Sequence, residues 1–389
     1  MVVKSWLRKY LQYTDRSEAP EEFHFWTGVA TIAATLERNI WVDTGHGYLL
    51  FPNMYIVLVA RSGMKKSSAS EFGPPLAEEA GVVVYKEQIT PQALIRHLKG
   101  NMAVKEGEVL KPASTWLHTT EMSVLMGKAA LQSGLLGLLT GIYLSPAKWQ
   151  YETITRGKDY LYNVCVNLLG ATVPKLFRSW AEEALMGGFM ARMMLIWGTK
   201  AREKPLFYEI SDEELELSTE LAAGLKTFRK LEGQAVVTPS CKKFLEAWYK
   251  NRTLPEDERL GGFYEREHDH LLKIAMVLAV SERDEPVIDV HHAEGAIIAV
   301  ENLKIGLKHV YAGLGTHALV EGLDRVHQQI LEAGVDGLRM ADLVRKNWYV
   351  LRKEELEECL GTLLAGERIT TIRSGRGIRY ASAHLQESG

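Results

Sequence analysis

The sequence predicts an α/β core behind a helical prefix, then an all-α region and a small C-terminal domain of three helices and a hairpin. Three observations carry that reading. Met54 to Val59 (MYIVLV) is an unbroken apolar run that leads into a short polar loop and a helix start, the pattern of a strand buried on both faces. Further apolar runs at 80–85, 164–172 and 193–197 alternate with helical stretches, as in an α/β core. From residue 211 the pattern turns helical, and from about 317 it gives three helices followed by two strands around a Ser-Gly-Arg-Gly turn. The boundaries that follow are 1–50 for the prefix, 51–204 for the core, 205–314 for the helical region and 315–389 for the last domain.

The prefix holds helices at 3–13 and 21–37, and its aromatics Phe23, Phe25 and Trp26 fall at core spacing. Asn39 to Val42 reads as a strand and Gly45-His46-Gly47 as a turn. The loop after the apolar strand is Ala60-Arg61-Ser62-Gly63-Met64-Lys65-Lys66-Ser67, with Ser68 opening the helix. Strand, loop, Lys-Ser and helix make a P-loop arrangement, in which backbone amides wrap a phosphate, a lysine reaches the β- and γ-phosphates and a hydroxyl holds magnesium. Lys66 and Ser67 occupy the last two roles. The pattern asks for glycine where Ala60 and Lys65 stand, so Lys65 is expected to avoid positive φ. A plain strand-to-helix turn with chance basic residues is the alternative.

Pro74-Pro75 punctuates the chain, 80–85 reads as a second buried strand, and Thr90-Pro91 caps a helix. Residues 100–113 read as a loop or hairpin. Thr115 to Glu121 is a short strand ending in an acid, and Glu121 is the candidate base that polarises water for attack on a γ-phosphate. It is also a candidate partner of the metal, although a glutamate at a strand end is otherwise plain surface. Thr120 stands where an aspartate often precedes such a glutamate.

Leu131 to Tyr143 is helical, and 149–163 alternates like a hairpin with Arg156-Gly157-Lys158 at its tip. The run 164–172 ends in Thr172, the first choice for sensing a γ-phosphate, with Asn167 the second; an N-cap for the next helix is the alternative role of Thr172. Arg192 precedes the last apolar strand, either as a surface ion-pair residue or as a finger reaching a neighbour's γ-phosphate. Helices follow at 211–232, 239–250, 266–281 and 289–311. His268 and His270 point apart on a helix and do not make a metal site, whereas Arg266 and Lys273 are candidate second-sensor cations to the nucleotide. In the last domain, three helices and a wing make a winged helix. Arg373, Arg376 and Arg379 lie on or beside the wing and suit phosphate contacts; a protein-docking wing is the alternative.

With 389 residues, 46% of them hydrophobic, the chain can bury a large core, and a net charge of −3 leaves nucleic-acid contact to local patches. Three separated cysteines indicate neither a disulfide framework nor a zinc site. No apolar run approaches a membrane span, and the N-terminus lacks a signal-type apolar segment, so the reading is soluble and cytoplasmic.

The ordered set FHFWTGVATIAATLERNIWV (23–42), FPNMYIVLVARSGMKKSS (51–68), ITPQAL (89–94), TEMS (120–123), TRGKDY (155–160), LLGATVP (168–174) and GGFMARMM (187–194) resembles one family. This is the P-loop ATPase domain of phage and mobile-element proteins, often fused to primase-polymerase domains and taken to be replicative helicases. The likeness covers roughly residues 5–200. It implies an AAA+/RecA-like P-loop NTPase core that binds ATP and Mg2+ between the subunits of a ring, a hexamer among the sizes such rings adopt. It places Lys66, Ser67 and Glu121 in cis, Arg192 in trans, and a single DNA strand gripped by the Arg156–Lys158 hairpin, with duplex DNA at the winged helix. In that family a basic residue commonly precedes the lysine, as Lys65 does; Ala60 and Thr120 are departures. With no primase domain in the chain, a primase would be a separate protein. Two other function classes stand beside it: an ATP-switched initiator or helicase loader with little unwinding, and a defence or regulatory ATPase that uses the winged helix as a protein-docking module.

Overall fold

The computed structural model describes residues 5–86, 88–126, 132–153, 157–177, 188–198, 200–204, 207–255, 257–312, 318–348, 351–374 and 377–383. The chain divides into two compact units, Met1–Tyr311 and Ala312–Gly389. The prefix, core and helical region distinguished in the sequence therefore lie in one unit.

That unit begins with α1 (Trp6–Tyr13) and α2 (Glu21–Leu36). In α2 thirteen of sixteen residues are buried, including Phe23 and Trp26, which is the behaviour of a helix enclosed on all sides; Phe25 is only half-buried. Strands β1 (Ile40–Asp43) and β2 (Leu49–Leu50) pair antiparallel. Next come β3 (Tyr55–Val59), α3 (Lys66–Ser70), α4 (Gly73–Glu79), β4 (Val84–Lys86) and α5 (Pro91–Asn101). The hairpin β5 (Ala103–Lys105) and β6 (Glu108–Lys111) precedes β7 (Ser114–Thr119), α6 (Met122–Leu125) and α7 (Leu135–Ile142). A second hairpin, β8 (Lys148–Thr153) and β9 (Gly157–Tyr162), leads into β10 (Cys165–Thr172), and a 3-10 turn at Met190–Arg192 leads into β11 (Met193–Trp197).

Five of these strands form one parallel sheet in the order β11-β3-β10-β7-β4. Strands β3, β7 and β10 are buried along their whole length, as expected of a sheet covered on both faces. The chain therefore inserts β10 between the strand that leads into the loop and the strand that leads to Glu121. Sequence order does not give that insertion, and it decides which strand ends are neighbours. Leu168 to Thr172 pair with Tyr55 to Val59, and Gly170 pairs with Thr119, so Thr172 ends level with both the loop and the acid. Strand β4 is shorter than the run 80–85 because Gly81 takes φ +86 and the amides of Gly81 and Val82 bond back to Glu78 and Ala77. Those residues close α4 instead of opening a strand.

The remaining helices of this unit are α8 (Asp212–Phe228), α9 (Pro239–Asn251), α10 (Glu258–Arg283) and α11 (Val290–Ala312). Short strands β12 (Gly233–Gln234), β13 (Val236–Val237) and β14 (Val287–Ile288) tie them in, with β12 running parallel to β1. The second unit packs α12 (Ala318–Glu332), α13 (Met340–Asn347) and α14 (Lys353–Ala365) around Val326, Ile330, Leu343, Leu356, Leu360 and Leu363. Its sheet has three antiparallel strands, with β17 (Gly377–Ser382) between β15 (Leu338–Arg339) and β16 (Ile369–Ser374). The short β15 has no apolar run of its own and is set by its pairing.

Candidate nucleotide site

The loop between β3 and α3 turns through two left-handed residues. Gly63 takes φ +86 and Lys65 takes φ +54 with ψ 28, a left-handed conformation at a non-glycine residue. The expectation that Lys65 avoids positive φ is therefore overturned. Such a residue costs roughly 1–2 kcal/mol relative to a right-handed one; the Lys65 amine lies 2.6 Å from the Glu18 carboxylate, an exposed pair worth little in solvent. Ala60 keeps an ordinary backbone conformation and is fully buried, so its position does not require glycine.

Lys66 is 8% exposed, and its Nζ donates to the carbonyls of Ala60 and Arg61, each at 3.0 Å. The amine thus spans the loop it would share with a phosphate. Burial lowers its pKa from the ordinary value, and the nearby Glu121 carboxylate opposes that shift. Next to it, the Ser67 hydroxyl donates to the Thr120 carbonyl at 3.3 Å, which brings the start of α3 against the end of β7.

Glu121 is the N-cap of α6, and its Oε1 accepts from the Ser123 amide at 3.2 Å and from the Thr172 hydroxyl at 3.1 Å. Gly170 makes this possible. A Cβ there would run into the Met122 side chain, and it is Met122 that seats α6 against β10. The carbonyl of Thr172 accepts from the Ala60 amide at 3.4 Å, so one residue touches both the loop and the acid. Lys66, Ser67, Glu121 and Thr172, separated by up to 106 positions in sequence, converge at the C-terminal ends of three adjacent strands. Arg61, Ser62, Met64 and Ser68 belong to the same loop and helix start.

Other candidates are not brought there. Asn167 sits within β10, where its Oδ1 accepts from the Met54 amide at 3.0 Å; it braces the sheet. Lys273 is fully buried at the opposite end, donating to the Asn53 carbonyl at 2.7 Å and the Asn53 Oδ1 at 2.8 Å, with its amine 4.4 Å from the Tyr143 ring centre. Burial pushes its pKa down to about 7. Asn53 precedes β3 while the 60–67 loop follows it, so Lys273 is separated from that loop by the length of the strand. Arg266 pairs with Asp269 at 3.7 Å.

Arg192 also lies at the N-terminal end of the sheet, just ahead of β11, and its Nη1 donates to the Gly188 carbonyl at 2.6 Å. Burial lowers its pKa, with Arg266 adding to the shift. His270 holds the same turn through the Ala191 carbonyl at 3.1 Å, and its burial pushes its pKa down to about 3. Arg192 is thus remote from Lys66 of its own chain.

The hairpin β8–β9 springs from the same N-terminal end, where the Ala113 amide donates to the Tyr162 carbonyl at 3.0 Å. Lys158 is exposed near its tip, 3.9 Å from Glu152, a contact worth little in solvent; Arg156 lies outside the described residues. In the second unit Arg379 does not reach a wing tip, because its Nη1 donates to the Asp336 carbonyl at 2.7 Å. Arg373 lies in β16 opposite Ile378, and Arg376 is outside the described residues.

Among the described residues one cluster has metal-ligand composition, Glu282 with His291 and His292. The Asp289 amide donates to His292 Nδ1 at 3.0 Å, which puts the ring proton on Nε2, and that nitrogen faces Glu282 Oε2 at 2.9 Å. A metal needs the lone pair that this proton occupies, so the trio is a hydrogen-bonded cluster joining α10 to α11. Among the described residues no helix is long and apolar enough to cross a membrane. No family model matches the chain, and no curated protein matches it at a significant level.

Proposed function

We propose that this chain is an ATP-dependent DNA motor, the replicative helicase of a phage or mobile genetic element, hydrolysing ATP at the subunit interfaces of a ring. The observation that carries the reading is the convergence of Lys66, Ser67, Glu121 and Thr172 at three adjacent parallel strand ends. In this P-loop reading the loop amides and Lys66 bind the phosphates, the Lys66 amine exchanging its two carbonyls for phosphate oxygens. Glu121 orients and deprotonates the attacking water, and Arg192 of one subunit neutralises charge in the next. Magnesium, when bound, neutralises phosphate charge. The Ser67 hydroxyl, and Glu121 through water, would hold it, a donor set suited to an ion that keeps most of its waters and needs few protein oxygens.

The sheet also links the two ends of such a motor. Strand β10 runs eight residues from the foot of the β8–β9 hairpin to Thr172, about 26 Å at the strand rise. A hairpin gripping a strand by its phosphates at one end is thus mechanically continuous with the residue that contacts Glu121 at the other. The three-helix unit with its antiparallel sheet is read as a winged helix for duplex DNA.

A second reading, an ATP-switched initiator or loader, is favoured by one feature: Glu121 is already held by two donors. ATP turnover with and without single-stranded DNA, beside Lys66→Ala and Arg192→Ala, separates the two. A motor shows DNA-stimulated turnover that each variant lowers about 100-fold or more, and mixing the two variants restores part of it through hybrid interfaces. ATP binding without turnover on any DNA sinks the motor and leaves the switch.

A further inference from the structure

Helix α9 is poorly covered for an element of a packed unit. Only Cys241 of its thirteen residues is buried. Phe244, Leu245 and Trp248 are half-buried, and Tyr249 is 45% exposed. A helix of this length ordinarily buries an apolar stripe. Here the stripe borders an open cleft of about 640 Å³ that α10 and the β1–β2 turn also line, a volume in the range of ligand sites.

The cleft has a defined chemistry. Trp248, Tyr249, His46 and Tyr48 supply ring faces and edges, and Lys242 and Lys250 line it. The Arg252 guanidinium lies 4.1 Å from the centre of the Tyr249 ring, and the Tyr48 hydroxyl is anchored on Asp269 at 3.2 Å. Thr44 Oγ1 and His268 Nδ1, on residues of the cleft wall, are shielded from solvent without a hydrogen-bond partner. Asp43 and Glu246 also line the cleft; carboxylates accept from exocyclic amino groups of bases while the lysines, with Lys243 beside them, meet phosphates. Aromatic rings and lysines lining one cleft are the pairing that single-stranded nucleic acid needs, and a purely apolar partner would not call for the lysines.

We propose that this cleft binds single-stranded nucleic acid, a base stacking on Trp248 and Tyr249 and the flanking phosphates held by Lys242 and Lys250. The proposal rests on the nucleic-acid part of the function above and is independent of the hairpin and the wing. The test is anisotropy of a fluorescein-labelled 20-nucleotide single strand with the full chain over a salt series. Trp248→Leu/Tyr249→Leu is expected to weaken binding roughly tenfold or more. Lys242→Gln/Lys250→Gln changes only surface side chains and is expected to flatten the slope of log affinity against log salt by about 1.4. Melting temperatures and DNA-free ATP turnover report whether each variant is folded, and the lysine pair decides the matter if the aromatic pair is not. Wild-type affinity and slope in the lysine pair would overturn the site while leaving the DNA reading intact. Equal competition by a poly-glutamate peptide, or variants that lose self-association in sedimentation, would also overturn it in favour of a protein occupant. A wild-type chain that binds no strand removes this site and the motor together.

Discussion

At the C-terminal ends of the five-stranded sheet, Lys66 rests on two loop carbonyls and Glu121 on a hydroxyl and an amide. At the N-terminal ends, Lys273 rests on Asn53 beneath the Tyr143 ring, fully buried. Both lysines are bound to backbone oxygen and both have lowered pKa values. The difference lies in what surrounds them. Lys66 follows an exposed loop and its neighbours are a hydroxyl and a carboxylate, so under the proposed function an anion would replace its partners. Lys273 is enclosed by packed side chains, so nothing can replace Asn53. A lysine touching carbonyls is therefore a ligand-binding group or a brace depending on whether its partners are exchangeable.

The largest test of this contrast is Glu121→Gln, which keeps the shape and the contacts to Ser123 and Thr172 but removes the base. Turnover should fall about 100-fold or more while binding of a fluorescent ATP analogue persists; unchanged turnover would mean another residue activates the water. Thr172→Val should lower kcat about tenfold with KM unchanged if its hydroxyl orients Glu121, a charge-assisted bond of modest strength, and Thr172→Ser should retain most activity. A loss of affinity for ATP but not ADP would instead make Thr172 a direct phosphate contact.

The smallest effect belongs to the buried end. Lys273→Met should leave nucleotide affinity unchanged. Its folded-state pKa is about 7 against an ordinary 10.5, so the unfolded chain binds the extra proton between those values and stability gained above pH 10.5 is lost as pH falls through 7. Wild-type melting temperature should thus gain on that of Lys273→Met as pH rises from 7 to 9, and parallel curves would contradict the lowered pKa.

Much of the candidate site was legible because its signals are local. An apolar strand followed by Lys-Ser, a strand ending in an acid and a strand ending in threonine can each be read within ten residues. Their convergence was not, since strand order depends on crossovers and not on composition. Lys273 shows the cost: its charge was plain, but its partner Asn53 is 220 residues away, and without that contact a buried brace reads as a ligand cation. Lys65 failed in the opposite direction. Sterics alone argued against a left-handed lysine, but a cost of roughly 1–2 kcal/mol is small enough for the fold around the loop to override, and that fold lies beyond a local pattern. Helix α9 was legible as a helix, yet its lack of cover was visible only in the fold.

The Thr172 hydroxyl has one proton and two acceptors within reach, Glu121 Oε1 at 3.1 Å and the Val173 carbonyl at 3.4 Å. Any third acceptor, such as an oxygen of an incoming phosphate, must take that proton from one of them. A single proton makes the contact an exclusive choice: if any oxygen other than Glu121 Oε1 wins it, the carboxylate is left with the Ser123 amide alone. Arrival of the terminal phosphate and release of the base would then be one event, counted by the position of one hydrogen atom.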